Sequence, residues 1–184
     1  MSERREQLID RALSYFLEHG VAGLSLRPLA GSIGTSARLL VYHFGSKDGL
    51  IQAVMDEVRA RTQASFSSAV RRSAKGGHKG TMRVFWSWII RPGNSRHLRL
   101  LFEVQVLALQ NPRAYGRYLA GTSSSWLALI EASLPSTKRR RATATLCAAV
   151  IDGLLLEYLS TGDRRRTTEA LILFNRSMSG REWK

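Results

Sequence analysis

Between Glu3 and His19 the apolar residues Leu8, Ile9, Ala12, Leu13, Phe16 and Leu17 recur three and four apart with polar residues between them, the repeat of one buried helical face. The spacing predicts a helix over 3–19 that stops at His19-Gly20, because glycine readily takes the left-handed conformation that ends a helix. Ser25 is placed to cap a short helix over 26–32, with Pro28 in the first turn, where an amide has no helical partner. Gly34 supplies a turn, Ser36 caps a second short helix over 37–43, and Gly45-Ser46 ends it and opens the next. On that next helix Leu50, Ile51, Val54, Met55 and Val58 form the apolar stripe.

The polar, glycine-rich stretch RRSAKGGHKG over 71–80 is the best candidate linker. Beyond it the helical period continues over 81–91, 96–109, 113–133, 137–160 and 165–178. Pro92-Gly93-Asn94, Asn111-Pro112, Leu134-Pro135-Ser136 and Thr161-Gly162-Asp163 separate these segments. No alternating strand pattern and no internal repeat occurs. The expected fold is all-α with about nine helices: an N-terminal three-helix domain over 1–62 and a larger helical bundle over 63–184.

Composition narrows the class. A hydrophobic content of 44% over 184 residues fills an ordinary core. No uninterrupted apolar run approaches the roughly 18 residues of a membrane span; the longest, around Leu154 to Leu156, is broken by Glu157. The N-terminal MSERREQLID is mixed in charge and lacks the apolar centre of a signal peptide. Cys147 is alone, which excludes an intramolecular disulfide and a multi-cysteine zinc site. These features predict a soluble, cytoplasmic protein with no membrane partner.

A net charge of +14 invites a nucleic-acid partner, since lysine and arginine neutralise phosphates and release counterions. Its distribution weakens the argument. Residues 1–64 carry eight basic and seven acidic side chains, whereas residues 65–184 carry twenty and seven. A solvated basic surface accounts for the surplus equally well. An enzyme finds little support: His19, His43, His78 and His97 lie in separate contexts. There is no Glu-x-x-His pair, no Gly-x-Ser-x-Gly elbow and no phosphate-cradling glycine loop. No catalytic residue, metal ligand or cofactor is nominated.

The informative stretch is SLRPLAGSIGTSARLLVYHFGSKDGL, residues 25–50. Two short helices joined by a glycine-containing turn form a helix-turn-helix, here over 25–44. Leu26, Leu29, Ala30, Ile33, Leu40 and Phe44 are expected to face inward, and Ala37, Arg38, Leu39 and Tyr42 outward. Small and aliphatic groups allow close approach to base edges and thymine methyls, and Arg38 can donate two hydrogen bonds to guanine. Lys47 is a cation in the first turn of a helix, where it opposes the macrodipole. A phosphate bound there would reverse that penalty by meeting both the lysine and the free amides; a solvated lysine is the alternative. Taken singly, Tyr42 also reads as a packed surface aromatic and His43 as structural.

The run GTSARLLVYHFGSKDGL resembles the N-terminal domain of the TetR (tetracycline repressor-like) family: a Gly-x-Ser turn, an aromatic-His-Phe run, then Ser-Lys-acidic-x-Leu. The likeness spans about residues 5–60, and the remainder matches as helical segments of suitable number and length. It implies a DNA-binding head, a helical ligand-binding body and a dimer built from the last two helices. By position, it implies that Arg27 contacts backbone or a base edge, that Ser36, Ala37, Arg38 and Leu39 face bases, that Tyr42 and His43 bond phosphates, and that Lys47 clamps one. Two departures stand out: Val41 occupies a position where the family often has an aromatic, and Pro28 biases Arg27 away from helical geometry.

In the body, aromatic residues interleaved with polar ones suit a small-molecule pocket. Trp86, Trp88, Phe102, Gln105, Tyr118, Trp126 and Glu157 are the candidates, with an ordinary aromatic core as the alternative. Glu103 and Gln105, two apart, cannot share a face. Segment 142–160 is apolar around most of its circumference, as a helix covered by a second copy would be; an ordinary central helix is the rival. The expected function is a transcriptional regulator: a homodimeric repressor released from a palindromic operator in double-stranded DNA by a small-molecule effector. The alternative is a ligand-independent regulator or architectural protein whose body only dimerises.

Overall fold

Residues 3–73, 81–134 and 136–179 are described by a computed structural model, and all regular structure among them is helical. The helices are α1 (Glu3–His19), α2 (Leu26–Ser32), α3 (Ala37–Phe44), α4 (Lys47–Ser73), α5 (Thr81–Ile89), α6 (Pro92–Gln110), α7 (Pro112–Ala132), α8 (Arg140–Thr161) and α9 (Arg164–Ser179). This all-α architecture is the one the periodicity predicts.

Local chemistry sets the first boundaries. Gly20 and Gly45 take φ of 73° and 76°, conformations that a side chain would strain. Ser36 Oγ accepts the amide of Leu39 at 3.1 Å, and Ser46 Oγ accepts that of Gly49 at 3.0 Å, so α3 and α4 are side-chain capped. Ser25 has the extended backbone of a cap, but its side chain makes no capping bond.

Three boundaries differ from expectation by three residues or more, one being the start of α8, which lies at Arg140 and not at 137. The helix expected at 96 begins at Pro92, with the amides of Asn94 and Ser95 both donating to the Arg91 carbonyl at 3.0 Å. A proline at the first helical position loses only an amide that has no partner there, so Pro-Gly-Asn opens a helix instead of separating two. Helix α4 runs on to Ser73, so the first three residues of the expected 71–80 linker are helical. Residues 74–80 and Pro135 lie outside the described residues.

The chain divides into two compact units. The first comprises Met1–Thr62 and Arg96–Thr122. Leu8, Ala12 and Phe16 of α1, Leu29 of α2, Leu40 of α3 and Leu50, Val54 and Met55 of α4 are buried there, as are Val104, Ala108 and Tyr115 of α6 and α7. The second comprises Gln63–Ser95 and Ser123–Lys184. In it α8 and α5 both pack against α9, with Trp86, Ile89, Cys147, Ile151, Leu155 and Leu171 buried. Helix α8 is long and apolar enough, by length and composition, to cross a membrane, yet most of it is unburied. Leu146 and Leu156 on α8 and Leu173 on α9 are exposed.

Candidate nucleic-acid interface

The α2–α3 frame is built from the residues whose spacing marked them as inward. Leu29, Ala30, Ile33 and Leu40 are buried, and Leu26 and Phe44 are half-buried. The guanidinium of Arg5 lies 5.0 Å from the centre of the Phe44 ring, so a cation covers the open side of that residue. Arg11 donates to the Ile33 carbonyl at 3.1 Å, tying α1 to the turn ahead of α3.

On the outward face Arg27, Ser36, Arg38, Tyr42 and Lys47 are exposed, while Ala37, Leu39 and His43 are half-buried. Arg27 lies in the first turn of α2 despite preceding Pro28. The side chains of Arg27, Arg38 and Lys47 make no hydrogen bond or ion pair among the described residues. Their charges remain available to an anion. Tyr42 is 81% exposed and touches the His43 ring edge-on at 5.1 Å. Ser36 spends an acceptor on its cap but keeps its hydroxyl hydrogen to donate.

Sequence reasoning passed over Val41, which is 43% exposed. It stands one turn beyond Ala37 and Arg38, so Ala37, Arg38, Val41 and Tyr42 share one face of α3. That i, i+4 spacing was the signal. A small, apolar and cationic strip of this kind suits the edges of bases in a major groove.

The head is braced by later parts of its own unit. The Tyr115 hydroxyl donates to Asp48 Oδ1 at 2.7 Å, and Gln52 donates to the Ala114 carbonyl at 3.1 Å. Burial, and then the Asp48 carboxylate, hold the Tyr115 hydroxyl well above the ordinary tyrosine range. Glu103 of α6 accepts the amides of Val21 and Ala22, each at 2.7 Å, through one carboxylate oxygen. Arg61 joins Glu57, at 2.6 Å, and Asp10.

The candidate pocket residues fall into both units. Phe102 and Gln105, half-buried, and Tyr118, buried, belong to the first. Trp86, Trp88, Trp126 and Glu157 belong to the second. There Phe66, Phe85, Trp88 and Trp126 form one aromatic cluster: Phe66 and Phe85 have centroids 4.5 Å apart, and Trp126 lies 5.8 Å from Phe85. Trp88 donates its indole hydrogen to Ser65 at 3.0 Å, and Trp86 donates to Thr168 at 2.9 Å. Glu157 is ion-paired with Arg166.

Residues 8–54 match the family model described as bacterial regulatory proteins, tetR family. An HTH-type transcriptional regulator BetI of Paraburkholderia phytofirmans is 30% identical, over 94% of this chain and 90% of that protein. A BetI of Burkholderia thailandensis is likewise 30% identical over the same shares. A putative TetR-family transcriptional regulator from Rhodococcus sp. has a similar fold, with a TM-score of 0.75 at 22% identity, covering 97% of this chain and 98% of that one. The multidrug binding protein EbrR, complexed with ethidium, gives a TM-score of 0.74 at 25% identity over 95% of this chain and 98% of that one.

Proposed function

This chain belongs to the tetR family of bacterial regulatory proteins and is a helix-turn-helix transcriptional regulator, and on that premise we propose that it acts as a cytoplasmic homodimeric repressor, not an enzyme, which a small molecule releases from a palindromic operator. The observation that carries this reading is the outward face of the head. Three cationic side chains, Arg27, Arg38 and Lys47, stand exposed with no partner among the described residues, on the same head as the exposed Tyr42.

Arg38 reads a guanine edge, Ser36, Ala37 and Leu39 face the bases beside it, and Tyr42, His43 and Lys47 hold phosphates. Arg27 contacts backbone or a base from α2. Lys47 opens α4, so a phosphate there meets the lysine and the free first-turn amides together. Residues 1–62 supply the DNA contacts, and the chain from 63 onward supplies ligand binding and dimerisation. The exposed Leu146, Leu156 and Leu173 support a dimer contact on α8 and α9, where two copies would bury apolar surface that one copy leaves wet. Two heads held by that contact enter successive major grooves, so half-sites lie about one helical turn or a multiple apart.

For the effector we favour a site on the aromatic cluster of the second unit, with Trp126 as its half-exposed edge. The EbrR structures complexed with ethidium, proflavin and malachite green support an aromatic ligand for this chain as well. A ligand preferring one conformation shifts the equilibrium by its differential affinity. One observation favours the ligand-independent reading: the indole hydrogens of Trp86 and Trp88 already have partners within the chain.

Duplex DNA enriched by the purified protein from a random-sequence pool, then footprinted, tests the DNA half. A two-fold symmetric protected sequence is expected; enrichment of no sequence overturns it. A thermal-shift screen of flat aromatic cations tests the ligand half, and absence of stabilisation throughout, with operator binding intact, favours the body that only dimerises.

A further inference from the structure

We propose that Glu103 of α6 is a positioning residue for operator binding, holding the α1–α2 corner in the one arrangement that presents α2 and α3 together to DNA. The inference rests on the DNA-binding reading above and concerns a residue outside the helix-turn-helix. Three observations converge on it.

The chain leaving α1 at Gly20 presents consecutive amides, Val21 and Ala22, that no helix can satisfy. One Glu103 carboxylate oxygen accepts both at 2.7 Å. Successive main-chain amides after a left-handed residue form a concavity suited to an anion, and here the anion is supplied from more than eighty residues further along the chain. The fit is close: a Cβ added at Gly20, whose φ is +73°, would stand 2.8 Å from the same oxygen. A side chain at Gly20 would force the carboxylate to shift from this position. Beyond the corner Val21 and Leu24 are buried, and Leu24 donates its amide to the Val21 carbonyl at 3.1 Å. The corner therefore passes its orientation directly into α2, which carries Arg27 and packs against α3.

Reading a base sequence needs Arg27 and Arg38 in fixed relation, whereas holding phosphates anywhere on a duplex does not. A loosened corner should therefore weaken recognition of the operator more than general DNA affinity. A residue that only stabilised the fold would weaken both together.

The test uses full-length Glu103→Ala and Glu103→Gln proteins, an operator enriched by the wild type from a random pool, and a scrambled duplex. For Glu103→Ala we expect operator affinity to fall about tenfold or more, while affinity for scrambled DNA and its salt dependence stay near wild type. Glu103→Gln keeps a neutral acceptor and should fall between the two. Gly20→Ala, which crowds the carboxylate from the other side, should reproduce the operator-selective loss. The proposal is overturned if Glu103→Ala and Glu103→Gln bind the operator as the wild type does, or if they lose operator and scrambled DNA in equal proportion. A wild type that enriches no sequence overturns the regulator reading and the proposal with it.

Discussion

The hydroxyl of Tyr115, in the first turn of α7, donates a 2.7 Å hydrogen bond to the carboxylate of Asp48, in the first turn of α4 and next to Lys47. The start of the helix that follows the recognition helix is thus tied to a buried aromatic from a distant segment of the same unit.

Tyr115→Phe keeps the ring and removes the donor, leaving the Asp48 carboxylate short of a partner. Loss of a hydrogen bond to a charged group should lower stability by about 1.5–3 kcal/mol in urea unfolding. The pH dependence has a defined sign. The hydroxyl holds its proton more tightly folded than unfolded, so its contribution is complete below about pH 10 and lost as pH rises through the folded value. The gap between wild type and Tyr115→Phe should therefore narrow in strong alkali; a gap that widens there contradicts the assignment.

Arg38 and Lys47 should fail in different ways. Arg38→Ala should cost about 1–3 kcal/mol on the operator and relax the preference for one base pair in each half-site. Lys47→Ala should weaken binding to every sequence alike and reduce the slope of log affinity against log salt by about 0.9 per subunit. Fluorescence anisotropy over a salt series separates the two behaviours.

Val41 presents a β-branched apolar side chain that is 43% exposed on the face it shares with Arg38. Its natural neighbour in a major groove is a thymine methyl. Replacing operator thymines one by one with uracil should reveal a position where losing the methyl costs about 0.8 kcal/mol. In Val41→Ala that sensitivity should shrink; methyl dependence unchanged at every position would exclude the contact.

Leu156→Glu and Leu173→Glu place a charge on the exposed apolar faces of α8 and α9. Each should shift sedimentation from dimer toward monomer and, because two linked heads bind far better than one, weaken operator binding by about a hundredfold or more. Each should leave the helical circular-dichroism signal intact.

The head was readable because its signals are local. Gly20, Ser36, Gly45 and Ser46 act within a few residues of themselves, so the bounds of α1 to α3 fall within a residue of the pattern. The inward set Leu29, Ala30, Ile33 and Leu40 follows from spacing alone. Pro92 misled because proline both breaks a helix and opens one, and only its neighbours' amides, turned to Arg91, decide. Glu103 could not be placed: its spacing from Gln105 sets the two on different faces of α6, but nothing local says that it reaches Val21 and Ala22. Val41 was passed over because it breaks the family pattern, although its spacing from Ala37 set it on the outward face. Glu157 read as a polar group suited to a pocket, and its partner Arg166 lies in the next helix.

The first unit is assembled from two stretches, Met1–Thr62 and Arg96–Thr122, with residues 63–95 between them. During synthesis the three N-terminal helices leave the ribosome before the carboxylate that fits the Gly20 corner and the tyrosine that fits Asp48 have been made. At roughly 5–20 residues per second that interval lasts several seconds. A nascent chain halted inside it carries every side chain of the recognition helix, but not the framework that holds them in register.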